Sequence, residues 1–170
     1  FYRLSGTDGK TSMGDVDYFG DSILPAWDRG FDDSQWKMAE VPHDWAVSYP
    51  FEERNSSGTG YLTGGTAWYR IHFHLPEEAK GKRVIIRFEG VYKRSQVWCN
   101  SHYLGRWANG YTSFMFDISD MVHTGDLENV IAVKVNHEDL ADSRWYTGSG
   151  ITKKVLLDIT EKVHIADYST

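Results

Sequence analysis

From Trp68 onward apolar and polar positions alternate, with Tyr69, Ile71, Phe73 and Leu75 on one face and Trp68, Arg70, His72 and His74 on the other. A period of two belongs to extended backbone with one buried face, so this run predicts a half-buried strand. Pro76 and Gly81 break it, and "VIIRFEG" resumes the alternation with Val84, Ile86 and Phe88 pointing one way, which predicts a second strand paired with the first as a hairpin or near neighbour. "SQVWCN" and "YLGRW" flank a short "NSH" turn and predict a hairpin in which Asn100 takes positive φ, with Ser101 standing where glycine is usual. Further strands are read from Phe114, Phe116 and Ile118, from Ile131, Val133 and Val135, and from Val155, Leu157 and Ile159. "SDMVHTGD" predicts one helical turn capped by Ser119 and ended by Gly125.

Residues 1–65 are different: "DDSQW", "VPHDW" and "SSGTGYLTGGT" are rich in turn formers and keep no period. They read as an irregular wrapping segment around main strands in 66–165. Without a helix long enough to cover a parallel sheet, the many short strands predict a single all-β domain, an antiparallel jelly-roll β-sandwich.

Composition changes the picture in three ways. The 170 residues suffice to bury roughly 70% of the unfolded surface, so the domain needs no disulfide staple, and its one cysteine, Cys99, reads as buried packing. Seven Trp, ten Tyr and eight Phe are an excess that must fill a core or a binding face. A net charge of −6 argues against nucleic acid or an anionic membrane as partner, and a neutral ligand fits better. No basic stretch followed by an apolar run opens the chain, and no run is long enough to span a bilayer, so a soluble chain is expected. The absence of an initial Met is expected for an excerpt of a longer protein.

Most candidate chemistry reads as structure. His72 and His74 form an H-x-H pair without a third ligand nearby in sequence, and read as solvated or interface histidines. His43 and Asp44 are adjacent, and side chains of adjacent extended residues diverge, so "VPHDW" reads as a turn after Pro42 with Trp45 packed beneath it. The doublets Asp32–Asp33, Glu52–Glu53 and Glu77–Glu78 read as solvated turns, and no nucleophile elbow or phosphate loop occurs. No cofactor or metal is expected. The exception is "DSRWYTGSGI": Asp142 accepts hydrogen bonds, Arg144 offers a planar fork of donors, and Trp145 and Tyr146 give flat faces with polar tips. That set suits a sugar ring. Taken alone, the stretch reads first as a surface Asp142–Arg144 pair with Trp145 plugging the end of the sandwich.

Taken together, "FDDSQW", "VPHDW", "GGTAWYR", "KGKRVIIRFEGV", "VWCNSHYLGRWANGYTSFMFDISD", "NVIAVKV" and "SRWYTGSGI" resemble the N-terminal sugar-binding domain of family 2 glycoside hydrolases, and most the β-galactosidases, over about Phe31 to Ile159. β-Glucuronidases and β-mannosidases share this domain. The resemblance implies a galactose-binding-domain-like sandwich followed by an immunoglobulin-like domain and a (β/α)8 barrel that carries the two catalytic glutamates of a retaining mechanism. This chain would then be a non-catalytic part of an enzyme that hydrolyses terminal β-galactosides. It further implies that loops of the domain reach the terminal sugar from two places, one just after the "GV" of "EGV", occupied here by Tyr92, and one before "SGI", occupied by Arg144 with Asp142 beside it and Trp145 as a wall. A free-standing carbohydrate-binding module is the competing expectation. Location is left open between bacterial periplasm and cytoplasm.

Overall fold

The structure is a computed structural model that describes residues 24–138 and 147–165, together with the backbone of residues 2–5 and 10–12. Among the described residues ten strands run in chain order: β1 Tyr2–Ser5, β2 Lys10–Ser12, β3 Lys37–Glu40, β4 Gly65–Phe73, β5 Arg83–Phe88, β6 Ser95–Cys99, β7 His102–Trp107, β8 Phe114–Asp117, β9 Asn129–His137 and β10 Val155–Thr160. They form a seven-stranded sheet in the order β2-β3-β1-β4-β9-β6-β7 and a three-stranded sheet in the order β10-β5-β8. Pairing is antiparallel except that β1 runs parallel to both β3 and β4. The all-β sandwich expected from the alternation is therefore present.

The two inner faces meet in one core. Tyr69, Val97, Cys99, Ile131, Val133 and Val135 come from the large sheet, and Val84, Ile86, Phe88 and Phe114 from the small one. Trp45, Ala46, Leu62, Val91 and Ile151 close it from the connecting segments. Burial pushes the Cys99 thiol up to about 12, so it stays protonated and serves as packing.

The expectation that β4 is half-buried is corrected: both of its faces are covered. Ala26, Phe31 and Trp36 pack over Trp68 and Ala132 on the outer face, forming a second apolar cluster. Each large aromatic removes enough surface from water to contribute a few kcal/mol, about 25 cal/mol per Å², which binds the 24–36 segment to the sheet. Arg70 is buried in the same layer. Its Nη1 donates to Ala26 O and Asp28 O at 2.7 Å, its Nη2 reaches Arg29 O and Phe31 O, and its Nε donates to Asp33 Oδ2 at 3.0 Å. A guanidinium has five donors, and this cage answers all of them.

Asp33 and His72 are likewise corrected from solvated to partnered. His72 lies between two carboxylates, with Nε2 2.8 Å from Asp33 Oδ2 and Nδ1 2.8 Å from Glu128 Oε2. Alternation placed His72 on the outer face correctly, but could not show that the chain folds back over that face. His74, two residues on, is exposed.

Two further expectations fail. β4 and β5 do not pair; the 3₁₀ turn Glu77–Ala79 after Pro76 carries the chain to the opposite sheet, where β5 lies between β10 and β8. "SDMVHTGD" forms a hydrogen-bonded turn, not a helical one. The Ser119 side chain accepts from Val84 N and donates to Asp117 Oδ1, and Asp117 Oδ1 accepts Ser119 N, so this side chain ties the turn to β5 instead of capping a helix. The β6–β7 hairpin forms as expected, with Asn100 at φ 46° and Ser101 at φ 71°.

Candidate functional site

The "GVYKR" loop after β5 brings Tyr92 to one end of the sandwich. Tyr92 N donates to Gly150 O at 2.8 Å and Gly150 N returns a bond to Tyr92 O at 2.9 Å, an isolated antiparallel bridge between the loop and the "SGI" run. On its other side that run is held by "VPHDW": His43 N donates to Ile151 O and Trp45 N to Ser149 O. Asp44 Oδ1 accepts from both Ala46 N and Ser149 N, so its carboxylate is committed to fixing the junction.

Glycine is required at the centre. Gly150 has φ 129°, and a Cβ there would stand 2.2 Å from Tyr69 Oη and 2.7 Å from His43 O. The strands can meet only because this residue lacks a side chain. Gly148 takes φ 85°, a left-handed conformation that turns the chain into this run.

The Tyr92 ring is buried and packs edge-on against Tyr111 and His137, with centroids 5.3 and 5.0 Å away. It lies flat on Gly110, where a Cβ would be 2.1 Å from Tyr92 Cδ2. Lys93 Nζ is 5.7 Å from the ring centroid, a cation–π contact. His137 Nδ1 shares a 2.7 Å hydrogen bond with Ser149 Oγ, which joins the end of β9 to the same junction. His43 Nδ1 lies 3.2 Å from Tyr69 Oη, and burial lowers its pKa below the usual histidine value against the opposing charge of Asp44.

Of the four residues the sequence points to, the structure places Tyr92 in this junction. Asp142, Arg144 and Trp145 lie outside the described residues. The described residues stop at Glu138, just after β9, and resume at Thr147, one residue before Gly148. Pro42, His43, Asp44, Thr147, Gly148 and Thr152 border a depression at this end of the sandwich. The described part of the junction is paired backbone, a buried aromatic cluster and polar groups that are already hydrogen-bonded. Among the described residues no group of three or more His, Cys, Asp or Glu side chains is placed to hold a metal ion.

Residues 27–161 match the family described as glycosyl hydrolases family 2, sugar binding domain. The chain belongs to that family. Among its relatives are the β-galactosidase BoGH2A of Bacteroides ovatus, 39% identical over 90% of this chain, and a putative β-glucuronidase of Formosa agariphila, 38% identical over 80% of it. Among solved structures, a β-glycosidase from Bacteroides vulgatus is 42% identical and superposes with a TM-score of 0.75 over 84% of this chain. This sugar-binding domain spans 18%, 13% and 19% of those three chains, respectively.

Sequence reasoning missed the contribution of His137 and Ser149, and the double role of Asp44. Only the spacing of Gly148 and Gly150 signalled that the chain passes close to other backbone here.

Proposed function

We propose that this sugar-binding domain serves a retaining exo-β-galactosidase that hydrolyses terminal β-D-galactosides, and that it supplies loop residues to an active site whose catalytic glutamates lie on a (β/α)8 barrel outside this chain. In this reading Arg144 donates to sugar hydroxyls, Asp142 holds the guanidinium fork, Trp145 forms a wall, and Tyr92 anchors the neighbouring loop from behind. An immunoglobulin-like domain stands between sandwich and barrel, and this chain by itself is inactive. The observation that carries the reading is the Tyr92–Gly150 bridge, because it fastens one of the two reaching loops to the base of the other. The 39% identity to the β-galactosidase favours galactosides.

The glucuronidase relative, at 38% identity, favours a second reading in which the same domain serves a β-glucuronidase. Assay of the full-length enzyme on nitrophenyl β-D-galactoside and β-D-glucuronide separates the two. Galactoside turnover is expected, and Arg144→Ala should lower kcat/KM by about tenfold or more, the loss for a hydrogen bond from a charged donor. Turnover of the glucuronide alone would select the second reading, and an unaltered kcat/KM would reduce the domain to a buttress.

A further inference from the structure

Among the described residues the 24–36 segment covers one part of the outer face of the large sheet, and beside it lies a groove of about 680 Å³. A cross-strand row crosses its floor: Lys134 of β9 pairs with Gln96 of β6, and Gln96 with Arg106 of β7, while Trp68 of β4, next in the row, is buried under the 24–36 segment. Arg94, Asn136 and Trp107 form its rim. Lys134 Nζ sits 5.8 Å from the Trp68 ring centroid. Arg94 Nε and Nη2 both donate to Asn136 Oδ1, which holds that guanidinium at the edge. Gln96 and Arg106 make no side-chain hydrogen bond or ion pair among the described residues.

Among the described residues, three cations and a single carboxylate, Glu138, line this groove, on a chain of net charge −6. Glu138 accepts from Thr66 Oγ1 and lies near Lys134 and Arg94, while Arg106 makes no ion pair among the described residues. Edge strands carry charge to block pairing with other chains, which could account for Arg106 on β7. It does not account for Lys134 and Gln96, which belong to interior strands. Lys134 and Arg106 are two strand spacings apart, about 10 Å, the length of a disaccharide, with the Gln96 amide between them to meet hydroxyls.

We propose that this groove binds an acidic glycan, with Lys134 and Arg106 pairing carboxylates on sugar residues and Gln96 bonding the hydroxyls between them. The site stands on the groove alone and not on the galactosidase reading, because its test reads binding and not hydrolysis. Calorimetry on the chain with tetragalacturonate is expected to show binding that weakens steeply with salt, while neutral galactotetraose binds at least about fivefold more weakly, the worth of one solvent-exposed ion pair. Arg106→Gln and Lys134→Gln should each weaken tetragalacturonate binding by about fivefold with unchanged melting curves. Gln96→Ala should weaken both glycans. Absence of tetragalacturonate binding to the unmodified chain, equal binding of the neutral glycan, or binding that survives the double Arg106→Gln, Lys134→Gln variant would each overturn the proposal. So would tighter binding of a polyglutamate peptide, which would mark the groove as a protein-docking face.

Discussion

Tyr92 and Gly150 exchange two backbone hydrogen bonds at 2.8 and 2.9 Å, and so lock the loop after β5 to the run that enters the last strand. Gly150 makes this possible because Tyr69 Oη and His43 O occupy the space a Cβ would need. Gly150→Ala is expected to destabilise the domain by more than about 2 kcal/mol, since positive φ and steric overlap add. Chemical denaturation measures it; a midpoint within error of the parent would show that the junction is soft.

Tyr92 divides into ring and hydroxyl. The ring fills the space above Gly110 and against Tyr111 and His137, so Tyr92→Ala should cost about 3–5 kcal/mol, as for other buried aromatics truncated to alanine. Tyr92→Phe keeps the ring, and should keep most of the stability. In the full-length enzyme, a fall in kcat/KM with Tyr92→Phe at unchanged stability would assign the hydroxyl a direct part in sugar binding; an unchanged value would leave Tyr92 a positioning residue.

Arg70 and Asp33 make an ion pair that is closed to solvent on both sides, with side chains 0% and 5% exposed. Removing one partner of such a pair leaves a buried charge, so Asp33→Ala should cost about 3–5 kcal/mol. Glu128, whose side chain is 44% exposed, pairs with the same His72, yet Glu128→Ala should cost about 1 kcal/mol or less. Equal melting temperatures for the two variants would contradict the burial argument.

His43 predicts a pH dependence. Its pKa lies below the ordinary value of 6.5 because burial disfavours the imidazolium, so the folded chain binds fewer protons than the unfolded one just below that pH. This contribution is present above pH 6.5 and is lost as pH falls from there toward the lower folded value. His43→Gln removes the titration while leaving an amide facing Tyr69. Its stability relative to the parent should therefore rise as pH drops through this window, and a constant difference across the window would sink the idea.

Ser101 should be neutral on replacement by glycine. Relief of φ 71° would stabilise by about 1 kcal/mol. Ser101 Oγ, however, accepts a 2.8 Å bond from Arg29 N, and its loss offsets the gain by about 1 kcal/mol. A melting shift of several degrees either way would show that one of the two effects dominates.

The junction was legible in part. Tyr92 and the two glycines stand out in sequence because one follows a strand-ending "GV" and the others punctuate an aromatic loop. His137 and Ser149 did not stand out: each lies at the end of an ordinary strand or turn, and becomes part of the site only through the 2.7 Å bond between them. The turn at Asp44 is local, but nothing local shows that its carboxylate also holds Ser149, more than a hundred residues away.

By itself, the sequence determined that the chain is a β-sandwich, because period-two alternation and turn residues are local properties that extended backbone imposes on every strand. It also determined the β6–β7 hairpin and the inward faces of β5 and β9. Only the tertiary structure decided which sheet each strand joins and what covers the outer face. β4 and β5 are neighbours in sequence and lie in opposite sheets, and Arg70, Asp33 and His72 look like surface charges until residues 24–36 fold over them. Alternation reports which residues share a face; whether that face meets water or another stretch of the same chain depends on contacts between distant residues, and no window along the sequence contains both partners.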